Sequence, residues 1–263
     1  MKPPMKVRLF VSTMLYAASK RLGYAQATAE LMRQAGELDP DKPHQGIPAA
    51  VTIARAARLE ELQLNVNAGA TVIGKARSLA AHEFLASDAD VWLSVDDDVA
   101  VSTDALQAAI SQCRAEPCLV VVPCLLRNTL ASGGAPTVNL VAAPVAIQDR
   151  APSGGKIETI EAGGFGCFAV SRAVVEAARL RAEWVPQFRH EGRLIPALFR
   201  DAIIEEQWVT EDFAFCRGLA ALNYRRWAVR VGTSVHAGQL LDLQTLEAVL
   251  QREPGVAGQR KLG

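Results

Sequence analysis

Apolar runs of strand length alternate with helical stripes through the first half of the chain. Lys6 to Thr13 alternates, with Val7, Leu9 and Val11 on one side, and reads as an opening strand. From Ser19 to Gly36, Leu22, Ala25, Ala29 and Met32 recur at helical spacing and a glycine closes the stretch, which predicts a helix. Turn residues between Asp39 and Gly46 predict a loop that includes His44. Leu62 to Val66 alternates again as a strand, and Val72 to Ala86 places Ile73, Ala76, Ala80 and Phe84 on one face of a second helix. The run Val91-Trp92-Leu93-Ser94-Val95 then reads as a buried strand. Strand, helix, strand, helix, strand is the order of a mostly parallel α/β sheet flanked by helices.

The second half is less regular. Ser102 or Thr103 opens an amphipathic helix with Leu106, Ala109 and Ile110, and Leu119 to Pro123 reads as a strand. Residues 127–155 are rich in Gly, Pro, Ser and Asn, the composition of hairpins or a mobile loop. Glu161 to Val170 holds a glycine cluster leading into Cys167-Phe168-Ala169-Val170, and Ser171 is placed to cap a helix from Arg172 to Arg181. After Leu241 the pattern suggests one more helix and a frayed end. No repeat and no linker divides the chain.

At 263 residues one large α/β domain is long enough to bury a substantial core. Half the residues are apolar and the formal net charge is zero, so no global field draws the chain to nucleic acid or an anionic membrane, although a local basic patch stays open. No apolar stretch approaches a membrane span and Met1-Lys2-Pro3-Pro4 lacks the core of a secretory signal, which makes the cytoplasm the expected location. Five scattered cysteines fit buried free thiols better than a disulfide framework, a zinc site or a nucleophile.

The chemistry concentrates where the Val91–Val95 run ends, at Asp96, Asp97 and Asp98. Three adjacent carboxylates repel one another unless a cation or strong donors share the charge. In an extended chain Asp96 and Asp98 lie on the same side and Asp97 on the other, so the first and third can converge on one ion. Hard oxygen ligands suit Mg²⁺ or Mn²⁺. The alternative is helix capping, since Ser102 and Asp104 open a helix nearby.

Three further motifs follow the same order as a known family: Lys75-Ala76-Arg77 on the second helix, Gly163-Gly164-Phe165-Gly166 after the aspartates, and Thr210-Glu211-Asp212-Phe213 before a strand and His236. Together with the Asp triplet, from about Val7 to Gln239, they resemble the nucleotide-sugar-dependent glycosyltransferases of the GT-A (Rossmann-like) fold, especially small soluble bacterial and phage members. The chain departs from the family at Ser78, where many relatives carry Asn, and at Ser12 to Tyr16, a loose match to the usual uracil loop. The resemblance implies a single domain over 1–263, with about 6–126 binding the nucleotide sugar, about 127–240 carrying the acceptor and catalytic parts, and 241–263 a C-terminal helix and tail. It implies Asp98, Asp96 and His236 as ligands of Mn²⁺ or Mg²⁺. Asp96 and Asp97 stand beside a UDP-sugar donor in this reading, Arg77 and Lys75 hold its phosphates, and Gly163 and Gly164 line its sugar. Asp212 is then the base that deprotonates the acceptor, and Glu211 orients acceptor or sugar.

For the acceptor, Arg179, Arg181, Trp184, Phe188, Arg189, His190, Arg193, Phe199 and Arg200 form a basic, aromatic stretch suited to phosphates and stacked rings, or to a lid over the donor. The family includes phage enzymes that glucosylate hydroxymethylated DNA bases, some beside TET-type oxygenases, so modified DNA is one expected acceptor and polysaccharide or protein another. A nucleotidyltransferase is a rival reading, although residues 12–24 lack its Gly-rich basic loop. A non-catalytic sugar-nucleotide-binding protein would leave Glu211 and Asp212 without a task.

Overall fold

The computed structural model describes residues 8–15, 44–45, 61–68, 72–96, 99–125, 138–142, 157–181, 185–236 and 239–242. The expected helix over 19–36, the tail helix, Asp97, Asp98 and Trp184 lie outside the described residues, and His236 is described by its backbone alone.

The main sheet has eight strands, in the order β3 (Glu61–Ala68), β1 (Arg8–Leu15), β4 (Val91–Asp96), β9 (Cys167–Ser171), β6 (Cys118–Val121), β14 (Arg225–Val229), β8 (Ile157–Gly163) and β7 (Leu140–Ala142). Pairing is parallel between β3, β1 and β4 and between β6 and β14. Strand β9 runs against β4 and β6, and β8 runs against β14 and β7. The remaining strands, β3, β1, β4, β6, β14 and β7, therefore share one direction, which makes this a mixed α/β fold with a mostly parallel central sheet. A smaller sheet has the order β16 (Gln239–Asp242), β15 (Thr233–His236), β5 (Val99–Val101) and β2 (His44–Gln45). The expected loop around His44 thus contributes a short strand, because His44 and Gln45 pair antiparallel with Val101 and Ala100.

Four helices are described. Helix α1 (Ile73–Ala86) packs on β1 and β3, α2 (Thr103–Ala115) on β9 and β6, α3 (Arg172–Leu180) on β9, and α4 (Glu211–Ala221) on β8 and β14. Continuous burial along β4, β6 and β9 explains their unbroken apolar runs, since helices cover the sheet they sit in. Ser12 and Ser94 are tolerated there because Trp92 Nε1 donates to Ser12 Oγ at 2.8 Å and Ser12 bonds Ser94. An aromatic chain runs from Phe10 and Phe84 through Trp92 and Phe168 to Phe165, Phe199 and Phe215, with centroids 4.4 to 6.3 Å apart.

Ser171 occupies the N-cap position of α3 but makes no capping bond. Its hydroxyl turns instead to the α2–β6 connection, donating to Cys113 O at 2.9 Å and accepting from Cys118 N–H. Tertiary partners outcompete the local cap because the carbonyls of that connection are buried without one. All five cysteines are free and buried. Burial pushes the Cys124 and Cys216 thiols up to about 12, so neither supplies a thiolate at neutral pH.

Candidate active site

Chain order places the site. From β1 the chain goes to β3 on one side of it, then returns past β1 to β4 on the other. Ligands of open α/β sheets collect outside the carboxyl ends of strands at such a reversal. Asp96 is the last residue of β4 and pairs with Met14 near the end of β1, so this first aspartate of the triplet stands at the switch point.

Four elements meet on one guanidinium there. Arg77, 2% exposed, projects from α1; its Nη2 donates to both Asp96 oxygens at 3.1 and 3.3 Å and to Phe165 O at 2.8 Å, while Nη1 donates to Glu211 Oε1. The Phe165 ring lies 5.7 Å from the guanidinium carbon. Asp96, Glu211 and Asp212 are each 8% exposed. Sequence separations of 19, 88 and 134 residues between Arg77 and its partners are closed at this point.

The phosphate role expected for Arg77 meets a different geometry: its terminal nitrogens are taken up by protein oxygens. Lys75 is exposed, and two residues along a helix turn the side chain by about 200°, so the pair cannot act from one face.

Glu211 and Asp212 open α4. Burial raises the Glu211 carboxyl above its ordinary range and the Asp212 charge raises it further, against the lowering effect of Arg77. Asp212 Oδ1 accepts from the Thr210 hydroxyl and from Phe213 N–H. Thr210, at the N-cap position, thus spends its hydroxyl on a side chain and makes no capping bond. Both bonds fall on one oxygen, which fixes the carboxylate plane and leaves Oδ2 without a protein donor among the described residues.

The glycines answer to protein neighbours. A Cβ at Gly163 would sit 2.8 Å from Val121 Cγ2 and one at Gly164 would overlap the Asn139 amide, so packing against β6 and the start of β7 accounts for both. Neither has positive φ. Their segment is nonetheless tied to the site, because Asp96 N–H donates to Gly166 O at 2.9 Å and Phe165 supplies the carbonyl on Arg77.

His236 closes β15 and pairs with Val99, the residue after Asp98 in sequence, so the backbone brings the late histidine to the start of β5. The turn before it needs Gly232, at φ +81, where a Cβ would strike Ser102 Oγ. Among the described residues no group of three or more His, Cys, Asp and Glu side chains is drawn together as a metal site. Ser102 Oγ accepts from Thr233 N–H, so the hydroxyl expected to cap α2 ties β15 down instead.

The basic stretch before α4 forms two hairpins the sequence did not announce: β10 (Gln187–His190) with β11 (Arg193–Pro196), and β12 (Ala202–Ile204) with β13 (Gln207–Val209). Each turns through two residues of positive φ, Glu191-Gly192 and Glu205-Glu206. Gly192 is a turn signal; a Glu-Glu pair is not. Arg181, Arg189, Arg193 and Arg200 are exposed, as too many charges to bury must be. Arg189 pairs with Leu194 and His190 with Arg193, which places Arg189 and Arg193 on opposite faces of the hairpin. Phe199 belongs to the core, 2% exposed and stacked on Phe215 at 4.4 Å, and so is no part of an acceptor surface or lid. Its N–H donates to Ser78 Oγ and its carbonyl lies 2.5 Å from where a Gly74 Cβ would be, so the small residues of α1 admit this segment.

No protein-family model matches the chain, and no curated protein sequence matches it. Solved structures similar to it include A197 from STIV, at 11% identity and a TM-score of 0.45, covering 89% of this chain and 93% of that one. UTP-bound UGPase from Acinetobacter baumannii is similar at 11% identity and a TM-score of 0.40, covering 95% and 96%. A CMP:2-keto-3-deoxy-manno-octonic acid synthetase complexed with CTP is similar at 14% identity and a TM-score of 0.40, covering 95% and 100%.

Proposed function

We propose that this chain is a metal-dependent GT-A glycosyltransferase that moves glucose or a similar hexose from a UDP-sugar to an acceptor hydroxyl. The observation that carries the reading is the convergence of Asp96, the Phe165 carbonyl and Glu211 on Arg77 at the carboxyl edge of the sheet. Residues from every motif that carries the family resemblance meet or neighbour one another there, with the His236 backbone opposite Val99.

The donor set of carboxylate oxygens and one imidazole suits Mn²⁺ or Mg²⁺, and Asp98, His236 and Asp96 are the residues that would hold it. When bound, such an ion stabilises the negative charge of the departing diphosphate as a Lewis acid. Asp212 acts from the acceptor side: its Oδ2 takes the hydroxyl proton as the acceptor oxygen bonds to the anomeric carbon and the bond to the diphosphate breaks. Thr210 and the Phe213 N–H keep that carboxylate oriented. Glu211, held by Arg77, lines the same end. The exposed arginines of 179–200 support a polyanionic acceptor, and a hydroxymethylated base in DNA is the one proposed.

Titrating UDP-sugars with Mn²⁺ into wild type and Asp98→Ala tests the reading. Metal-dependent binding in the first and its loss in a folded variant is the expected result; equal affinity in EDTA overturns the metal assignment. Release of pyrophosphate from nucleoside triphosphates and a sugar phosphate, with no UDP released from UDP-sugars, would replace glycosyl transfer with nucleotidyl transfer. Among the described residues no helix is long and apolar enough to cross a membrane.

A further inference from the structure

We propose that Arg77 is a positioning residue, which holds the carboxylates of Asp96 and Glu211 at a fixed separation and so joins the donor end of the site to the acceptor end, and that it is not a phosphate ligand. The two ends take their meaning from the glycosyl-transfer reading above. The clamp itself does not.

Its geometry leaves little for a ligand. The side chain is 2% exposed, and its two terminal nitrogens serve three protein partners: Asp96 of β4, Phe165 of the β8–β9 connection and Glu211 of α4. Nε is buried and makes no hydrogen bond among the described residues, so the fork is oriented for the two carboxylates at the expense of its third donor group. The ring beneath it, Phe165, is itself packed against Phe168, Phe199 and Phe215, which gives the guanidinium a rigid floor. Two acids approach one buried cation from opposite motifs, and a planar fork spans them where a point charge would serve one at a time. Displacing Arg77 would therefore move Asp96 on β4 and Glu211 on α4 independently.

The test uses Arg77→Lys and Arg77→Met in the full chain, with UDP binding measured by calorimetry in Mn²⁺ and UDP release from UDP-glucose to water measured at steady state. A positioning residue predicts kcat lower by about 100-fold in both variants with no rescue by lysine, and UDP affinity in Mn²⁺ reduced alike in both, because Asp96 shifts whenever the fork is lost. A loss of UDP affinity of about tenfold or more with kcat preserved, restored by lysine, would make Arg77 a phosphate ligand and overturn the proposal. A second measurement needs no activity. Arg77→Met should lower the melting temperature by taking the shared cation from two buried carboxylates, and adding Glu211→Gln should recover part of the loss. Strict additivity of the two substitutions would overturn the clamp. If the wild-type chain binds neither UDP nor UDP-glucose, the glycosyl-transfer reading fails, and the melting cycle alone decides whether Arg77 holds the two acids.

Discussion

Helix α1 is tied down by an arginine at each end, and the two do different work. At its C-terminal end Arg172, reaching from α3, donates to the carbonyls of Phe84, Leu85, Ser87 and Ala89 at 2.7 to 3.3 Å and lies 4.8 Å over the Phe84 ring. These are carbonyls of a helix's last turn and of the turn after it, where a cation is also favoured by the helix dipole. Near its N-terminal end Arg77 gathers two carboxylates and a single carbonyl. Neutral acceptors can fall back on water when their donor goes, and the Arg172 side chain is 23% exposed. The Asp96 and Glu211 side chains are only 12% and 10% exposed, and charge held that deep is costly to leave under-compensated. One arginine seals a helix; the other assembles a charged site that the fold would otherwise resist.

The strongest way to sharpen this contrast lies beside the carboxylate end. Asp212→Asn should lower turnover by about 100- to 10,000-fold while donor binding and melting temperature hold, because the amide keeps its shape but takes no proton. Near-wild-type turnover at saturating acceptor would shift the base to Glu211 or indicate a retaining mechanism. At the carbonyl end, Arg172→Met should cost about 2 kcal/mol in urea unfolding and leave UDP affinity unchanged. A fall in UDP affinity there would erase the distinction between the two arginines.

The smallest effect is in the pH dependence of Glu211. Burial first, then the Asp212 charge, lifts its carboxyl above the ordinary 4.5, with Arg77 opposing and Asp201 adding. The folded chain therefore holds that proton more tightly than the unfolded chain, and stability falls as pH rises from 4.5 through the raised value. Glutamine carries no such charge. The melting temperature of Glu211→Gln relative to wild type should accordingly rise as the pH is raised from 4.5. A difference that shrinks instead would mean that Arg77 outweighs burial.

Much of the frame was legible in advance because burial leaves a periodic mark. Strands β3, β4, β6 and β9 and helices α1 to α3 follow runs and stripes that any core-facing element must show. The caps misled: Ser102 and Ser171 stand at helix starts, yet each hydroxyl serves a distant backbone partner. Local sequence states which groups can bond and cannot rank their partners across the fold. The hairpin turn at Glu205-Glu206 left no signal because its positive φ is imposed by strand pairing rather than chosen by residue type.

The sequence by itself determined the alternation of elements and the burial of the cysteines, and it marked the Asp triplet, the glycine segment and the Glu-Asp pair as candidates, since clustered charge and apolar period are local properties. Only the tertiary structure decided that Arg77 faces inward and Lys75 outward, that Gly163 and Gly164 make room for Val121 and Asn139, and that Phe199 lies in the core. Those outcomes depend on which surfaces meet across 19 to 134 residues of chain, and the free energy of a buried ion pair or a close backbone approach exists only once both sides are in place.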